Sequence, residues 1–289
     1  MSDSDGLPAI VPPWRFFDVT VCGIRRLSPT FVRMTVTGHD LDQFMDLGHD
    51  ARVKVVLPAP SGGYDHLPRG GEWYLRWRQL PRATRNPLRT YTTRYVRPDC
   101  REVDIDIVLH GENEAAAGPG WAHRLEVAQP LVLLGPDATS PLPHGGVEFV
   151  TPGPGERLIL VGDETAVPAI ANIVSQLPEA TTAEVWLEVP VGPDAHVVDV
   201  PAQMTVTTVA RGDRAHGELL LRALREHADA ASAVISRQAQ PSSPGPTLAW
   251  VAGEAGFVRS VRRHLIEERR VDREHITFMG YWKRGCVGG

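Results

Sequence analysis

Residues 89–94, Arg-Thr-Tyr-Thr-Thr-Arg, are the first group whose types and spacing suit chemistry. On a strand, side chains two apart share a face, so Arg89 and Tyr91 project together. A guanidinium there can hold a phosphate, while a phenol stacks on a flat ring and hydrogen-bonds through its hydroxyl. Thr92 adds a short donor. The set suits a flavin nucleotide, which joins a planar ring to a diphosphate; a strand with Tyr and Thr on a solvated face is the plainer alternative. A second group, Gly-Asp-Glu-Thr-Ala-Val-Pro at 162–168, follows the apolar run Leu158–Val161 and opens a helical pattern. Such a turn leaves N–H groups and a positive dipole end facing a ligand. Thr165 is placed to cap the helix or to donate to a phosphate. The turn lacks the G-x-G-x-x-G fingerprint, and a capped helix start without a ligand accounts for it equally well. Residues 252–256, Ala-Gly-Glu-Ala-Gly, occupy a similar setting, and Gly253 permits close backbone approach. Ligands of open α/β sheets bind beyond the carboxyl ends of strands, so two such turns together carry more than either alone. Residues 280–285, Gly-Tyr-Trp-Lys-Arg-Gly, place two aromatics before two cations. They suit a ring or an anion, or the packing of Tyr281 and Trp282 into a core.

Several chemistries are missing. The eleven histidines show no H-E-x-x-H spacing, and neither G-x-S-x-G nor G-x-x-x-x-G-K-[ST] occurs. Cys22, Cys100 and Cys286 are too few and too scattered for a disulfide scaffold, an iron–sulfur cluster or a cysteine zinc site, and they fit a reducing cytoplasm. No catalytic side chain and no resident metal are therefore expected.

These residues need elements to position them. Residues 15–25, 30–37, 52–57, 88–97 and 103–109 read as strands, rich in Val, Phe, Thr and Ile and punctuated by Gly and Pro at 58–63 and 68–71. In 103–109, Val103, Ile105, Ile107 and Leu109 share one face, and Asp104 and Asp106 the other. His110 follows that strand, near any ligand held by Arg89. The pattern predicts an antiparallel barrel or sandwich. After the Pro/Gly-rich stretch 151–156 it changes. Strands at 158–161, 183–189, about 204–209, 248–252 and 276–280 alternate with helices at 167–177, 216–227 and 254–270, predicting a parallel sheet. The division expected is a tail at 1–13, a β-barrel domain at 14–151 and an α/β domain at 156–289.

Composition agrees with two ordinary globular domains in 289 residues. The net charge of −5 argues against a globally basic nucleic-acid binder. No apolar run is long enough for a membrane helix, and the acidic N-terminus does not read as a signal peptide. Only Lys54 and Lys283 are lysines, leaving 28 arginines. Nine of these fall between Arg69 and Arg101, against Glu72 and Asp99, a local charge of +7. That stretch is either a solvated face or an anion site.

As an ordered set, 51–58 (ARVKVVLP), 89–92 (RTYT), 104–111 (DIDIVLHG), 162–169 (GDETAVPA), 250–255 (WVAGEA) and 280–285 (GYWKRG) resemble the siderophore-interacting protein family, the FAD-dependent ferric-siderophore reductases of the ferredoxin-reductase-like superfamily. The resemblance runs from about Phe17 to Gly285. It implies a flavin-binding barrel followed by a domain for NADH or NADPH. Arg89, Thr90, Tyr91 and Thr92 would hold FAD, with Asp106, Val108, Leu109 and His110 along the strand end and Gly120, Trp121 and Ala122 beyond it. Asp163, Glu164, Thr165 and Ala166, with Gly253, Glu254 and Ala255, would receive the nicotinamide, near Tyr281 and Trp282. Lys54, Arg78 and Lys283 would attract an anionic ferric siderophore. The family's usual Gly-Pro-Ala-Ser turn reads Ala-Ala-Ala-Gly-Pro-Gly at 115–120, which shifts phosphate binding toward backbone N–H groups and Arg89. The implied activity is NAD(P)H-dependent reduction of a ferric siderophore in the cytoplasm. Ferredoxin is an alternative donor, and an electron transferase to a protein partner or a non-catalytic siderophore-binding flavoprotein are the alternative functions.

Overall fold

The computed structural model describes residues 11–109, 120–197, 201, 204–235 and 245–285. His110, Gly111, residues 1–10, residues 112–119 and Cys286 lie outside the described residues. Six strands come first: β1 (Trp14–Arg26), β2 (Phe31–Thr37), β3 (Arg52–Val56), β4 (Leu88–Arg97), β5 (Glu102–Val108) and β6 (Pro130–Pro136). They close into an antiparallel barrel in the order β1-β2-β5-β4-β3-β6. Strand alternation fills it, since Val53, Val55, Val103, Ile105, Ile107, Leu131 and Leu133 all point into one core. Asp104 and Asp106, on the other face of β5, are not turned to solvent. Arg97 grips Asp104 at 2.8 and 2.9 Å, and Arg33 grips Asp106 at 2.6 and 2.8 Å. A short helix, α1 (Trp73–Gln79), lies within the arginine-rich stretch, where the sequence signalled only turns. Its Trp77 packs with Val56, Leu88, Val132 and Leu134 on the outer wall of the barrel.

The second half holds β7 (Arg157–Gly162), α2 (Val167–Gln176), β8 (Thr182–Val189), β9 (Thr205–Ala210), α3 (Glu218–Ile235), β10 (Thr247–Glu254), α4 (Ala255–Glu267) and β11 (Ile276–Trp282). The sheet is parallel, in the order β11-β10-β7-β8-β9. Its central strand, β7, is apolar on both faces because helices cover both. Leu158 and Leu160 pack with α2, and Ile159 and Val161 with residues of α3 and α4.

The two halves share a core. Phe31 and Val108 of the barrel join Phe149 and the α2 face of the sheet in one apolar cluster. Buried polar bonds cross the same seam. Asn172 of α2 donates to the carbonyls of His49 (2.9 Å) and Thr93 (2.7 Å) and accepts from Arg94 (2.8 Å). Asp194 accepts from the Thr30 hydroxyl at 2.7 Å and the Thr30 N–H at 3.1 Å. Asp50 accepts from the N–H groups of Glu148 and Phe149 and from the indole of Trp250. Buried groups bonded this fully fix relative position, since leaving any one unpaired is costly.

Candidate cofactor and substrate site

The register of β4 against β3 sets the site. Val55 pairs with Arg89 and Val53 with Tyr91, while Lys54 pairs with Thr90. Arg89 and Tyr91 thus share a face, as the spacing predicts, and Thr90 lies on the other face with Lys54. Arg89 donates to the carbonyl of Leu88 at 2.9 Å. The Tyr91 hydroxyl accepts from the indole of Trp121 at 3.1 Å, with the rings edge to face at 6.2 Å. Burial pushes the Tyr91 phenol up to about 12, against the opposing pull of Trp121 and Arg89, so it remains a neutral donor. Trp121 and Ala122 are buried in the barrel core and Gly120 is exposed beside them. Val108 and Leu109 are buried at the end of β5, and the Asp106 carboxylate is engaged by Arg33. Only the backbone of that stretch is left for a ligand.

Thr92 faces the seam, beside Tyr281 at the end of β11. Burial raises the Tyr281 phenol, partly offset by Thr92. Its oxygen is buried without a well-formed hydrogen bond, edge-on to Trp250 at 6.4 Å. A buried hydroxyl without a full partner, next to a buried threonine and a Tyr–Trp pair, fits the polar rim of a flavin ring.

The carboxyl ends of β7 and β10 lie side by side, Gly162 opposite Ala252. A side chain at Gly162 would sit 2.6 Å from the Ala166 Cβ, and one at Gly253 (φ 141°) would strike Asp163 at 2.5 Å. Glycine is needed at both, for tight turns as much as for any ligand. The N–H groups of Thr165, Ala166, Glu254, Gly256 and Phe257 in these turns, expected to await a phosphate, are already bonded. Asp163, not Thr165, caps the first turn, accepting the N–H (2.9 Å) and hydroxyl (2.5 Å) of Thr165. It also accepts the N–H of Glu254 and the indole of Trp282. Glu254 caps α4 through the N–H groups of Gly256 and Phe257 and accepts from the N–H of Arg284. Two carboxylates in these turns reject a phosphate and leave the flatter surfaces of Thr165, Ala255 and Trp282; Ala166, expected among the ligand residues, is fully buried in the apolar core under the turn and offers no surface. Trp282 meets His216 edge-on at 4.9 Å. Burial acts to raise Glu164, but His216 and a bidentate pair with Arg211 (2.9 Å each) reverse this and hold its carboxyl at about 2.

On the outer face of β4, a cleft of about 510 Å³ is lined by Lys54, Tyr74, Trp77, Arg78, Arg85 and Thr90. Lys54 and Arg78, singled out in the sequence, meet here, while Lys283 is exposed at the end of β11. Lys54 donates to the Thr90 hydroxyl at 3.1 Å. Burial, then the Arg52 charge, lowers its pKa. Tyr74, Trp77 and Arg85 were missed; the aromatic spacing of Trp73, Tyr74 and Trp77 was the available signal. Among the described residues, no group of three His, Cys, Asp or Glu side chains could hold a metal, and no helix is long and apolar enough to cross a membrane.

Residues 20–140 match the family description "Siderophore-interacting FAD-binding domain", and residues 155–285 match "Siderophore-interacting protein". The chain is 32% identical to the ferric vibriobactin reductase ViuB of Vibrio cholerae over 263 residues, covering 90% of this chain and 86% of that one. It is 26% identical to the NADPH-dependent ferric-chelate reductase of Escherichia coli, covering 93% of each. A siderophore utilization protein from T. fusca superposes with a TM-score of 0.70 at 26% identity, covering 95% of both chains.

Proposed function

Because this chain belongs to the siderophore-interacting protein family, we propose that it reduces ferric siderophores with electrons from NADH or NADPH passed through FAD. One NAD(P)H and two Fe(III) yield NAD(P)⁺, one proton and two Fe(II). Bound FAD converts between the two-electron donor and the one-electron acceptor. The protein's part is to bind, orient and exclude water. In this reading Arg89 holds the phosphates, Tyr91 lies against the ring, and Thr92 and Tyr281 hydrogen-bond its polar rim. The FAD domain spans 14–151 and the nicotinamide domain 156–289. Thr165 and Ala255, near Trp282, would receive the nicotinamide, and a direct nicotinamide donor replaces ferredoxin. Lys54 and Arg78 hold the anionic chelate. Reduction lowers the charge on iron and weakens its bonds to hard oxygen donors, so the metal leaves. A supply of reduced nicotinamide and a use for free Fe(II) place the reaction in the cytoplasm.

One observation carries this reading. Along β4 the flavin-suited pair, Arg89 and Tyr91, alternates with Thr90, which borders a cationic cleft. A single strand thus serves donor and acceptor. The test is the absorption spectrum of the purified protein. It should be yellow, bleach with reduced nicotinamide and recolour on adding a ferric chelate. A colourless protein that takes up no FAD would refute the proposal.

A further inference from the structure

The cleft on β4 has a wall that charge alone does not explain. Tyr74 and Trp77 of α1 stack nearly parallel, with centroids 5.6 Å apart and planes at 19°. Tyr74 is 49% exposed, whereas Trp77 is buried beneath it. The Trp77 indole donates to the Asn86 carbonyl at 2.9 Å, and Asn86 donates to the carbonyls of Leu57 and Gly63. The guanidinium of Arg85 lies 5.6 Å from the Trp77 ring and that of Arg78 lies 5.9 Å from the Tyr74 ring. Lys54 lines the same cleft, steadied by Thr90. Among the described residues, no carboxylate lines the cleft. A rigid aromatic face ringed by cations suits a ligand that is both aromatic and anionic.

We infer that Tyr74, backed by Trp77, makes this cleft selective for ferric chelates whose iron donors are aryl oxygens, catecholate or phenolate, over hydroxamate and carboxylate chelates. The inference rests on the reductase reading above and names the substrate class of that site. An aryl chelate offers ring faces to Tyr74 and negative oxygens to Lys54 and Arg78; Arg85, held by the carbonyls of Leu80 and Arg78, adds its charge beside them. A hydroxamate chelate lacks both, and a carboxylate chelate supplies only the charge.

Gallium(III) replaces iron without being reduced, so binding can be read apart from turnover. The probes are gallium complexes of a tripodal tris-catecholate, a tripodal tris-hydroxamate and citrate, titrated by quenching of tryptophan fluorescence in the FAD-loaded protein. The tris-catecholate should bind at least fivefold more tightly than either other chelate. Tyr74→Ala should weaken it by roughly threefold to tenfold, the size of one aromatic contact, and bring it level with citrate; Tyr74→Phe should retain the preference. Equal binding of catecholate and citrate by the wild type, or an unchanged preference in Tyr74→Ala, would overturn the inference. Catecholate preference in a protein that fails to reduce iron would support the aryl site and overturn the reductase reading instead.

Discussion

Glu164 is wholly buried, yet ionised because Arg211 meets it with two hydrogen bonds and His216 lies 3.5 Å away. A charge in such a place stabilises the fold only while its partners are present. Its carboxyl is held at about 2, below the ordinary glutamate value near 4.3. A depressed carboxyl contributes stability in full above its unfolded pKa, and the contribution fades as pH falls toward the folded one. Glu164→Gln should therefore cost roughly 1.5–3 kcal/mol at neutral pH, since Arg211 keeps Glu188 at 3.1 Å. The gap between wild type and variant, measured by urea unfolding, should narrow steadily as pH drops below about 4.3. A gap constant from pH 7 to 3 would contradict this account. None of this was visible in the sequence, where Glu164 is one residue of a turn and its partner lies 47 positions away.

At the scale of elements, α2 joins the sheet to the barrel, and Asn172 is the residue through which it does so. In the sequence Asn172 interrupts an otherwise apolar stripe at helical spacing. The three hydrogen bonds it makes with His49, Thr93 and Arg94 explain why a polar residue belongs there. Asn172→Ala removes the donor from the buried Thr93 carbonyl and the half-buried His49 carbonyl, so unfolding free energy should fall by about 2–4 kcal/mol. Asn172→Asp should be no better, because a carboxylate cannot donate to them. Calorimetry checks both; a loss below about 1 kcal/mol would show that water replaces the amide. The strands and helices with strong periodicity were legible in advance, including the two-sided apolar run of β7. Two elements were not. The strand β6 contains Pro and Gly and has no alternation, because Leu131–Leu134 is buried on both sides by the barrel core and the α1 cover. The helix α1 is short, and its apolar residues pack outside the barrel rather than along a regular stripe.

Across the whole molecule, net charge misleads in one direction and the +7 stretch in the other. Of its nine arginines, Arg97 pairs with Asp104 and Glu102, Arg69 with Asp18 and Arg101 with Asp42. Arg76 and Arg85 donate to backbone carbonyls, and Arg94 to Asn172. Spacing identifies a basic stretch but not which cations the fold consumes. The field left for a ligand is local to the β4 cleft, so attraction of an anionic chelate should be real but modest. The second-order rate constant for a trianionic ferric chelate should fall roughly threefold to tenfold between about 0.03 and 0.3 M salt, and that for a neutral chelate should hardly change. Stopped-flow oxidation of the prereduced protein measures both; equal salt dependence would remove electrostatic steering. The order barrel-then-sheet and the paired strand-end turns were readable from pattern alone. The occupants of those turns were not, because the capping carboxylates Asp163 and Glu254 look in sequence like vacant ligand sites.

The barrel closes where β1 bonds to β6, Thr20 opposite Pro130 and Trp14 opposite Pro136. During synthesis the first strand is therefore made about 110 residues before its last neighbour. Until then the nascent chain carries a half-built sheet with a bare margin, the kind of surface that invites strands from other polypeptides. A ribosome that stalls upstream of β6 releases a product suited to clumping, and chaperone shielding matters most in that interval.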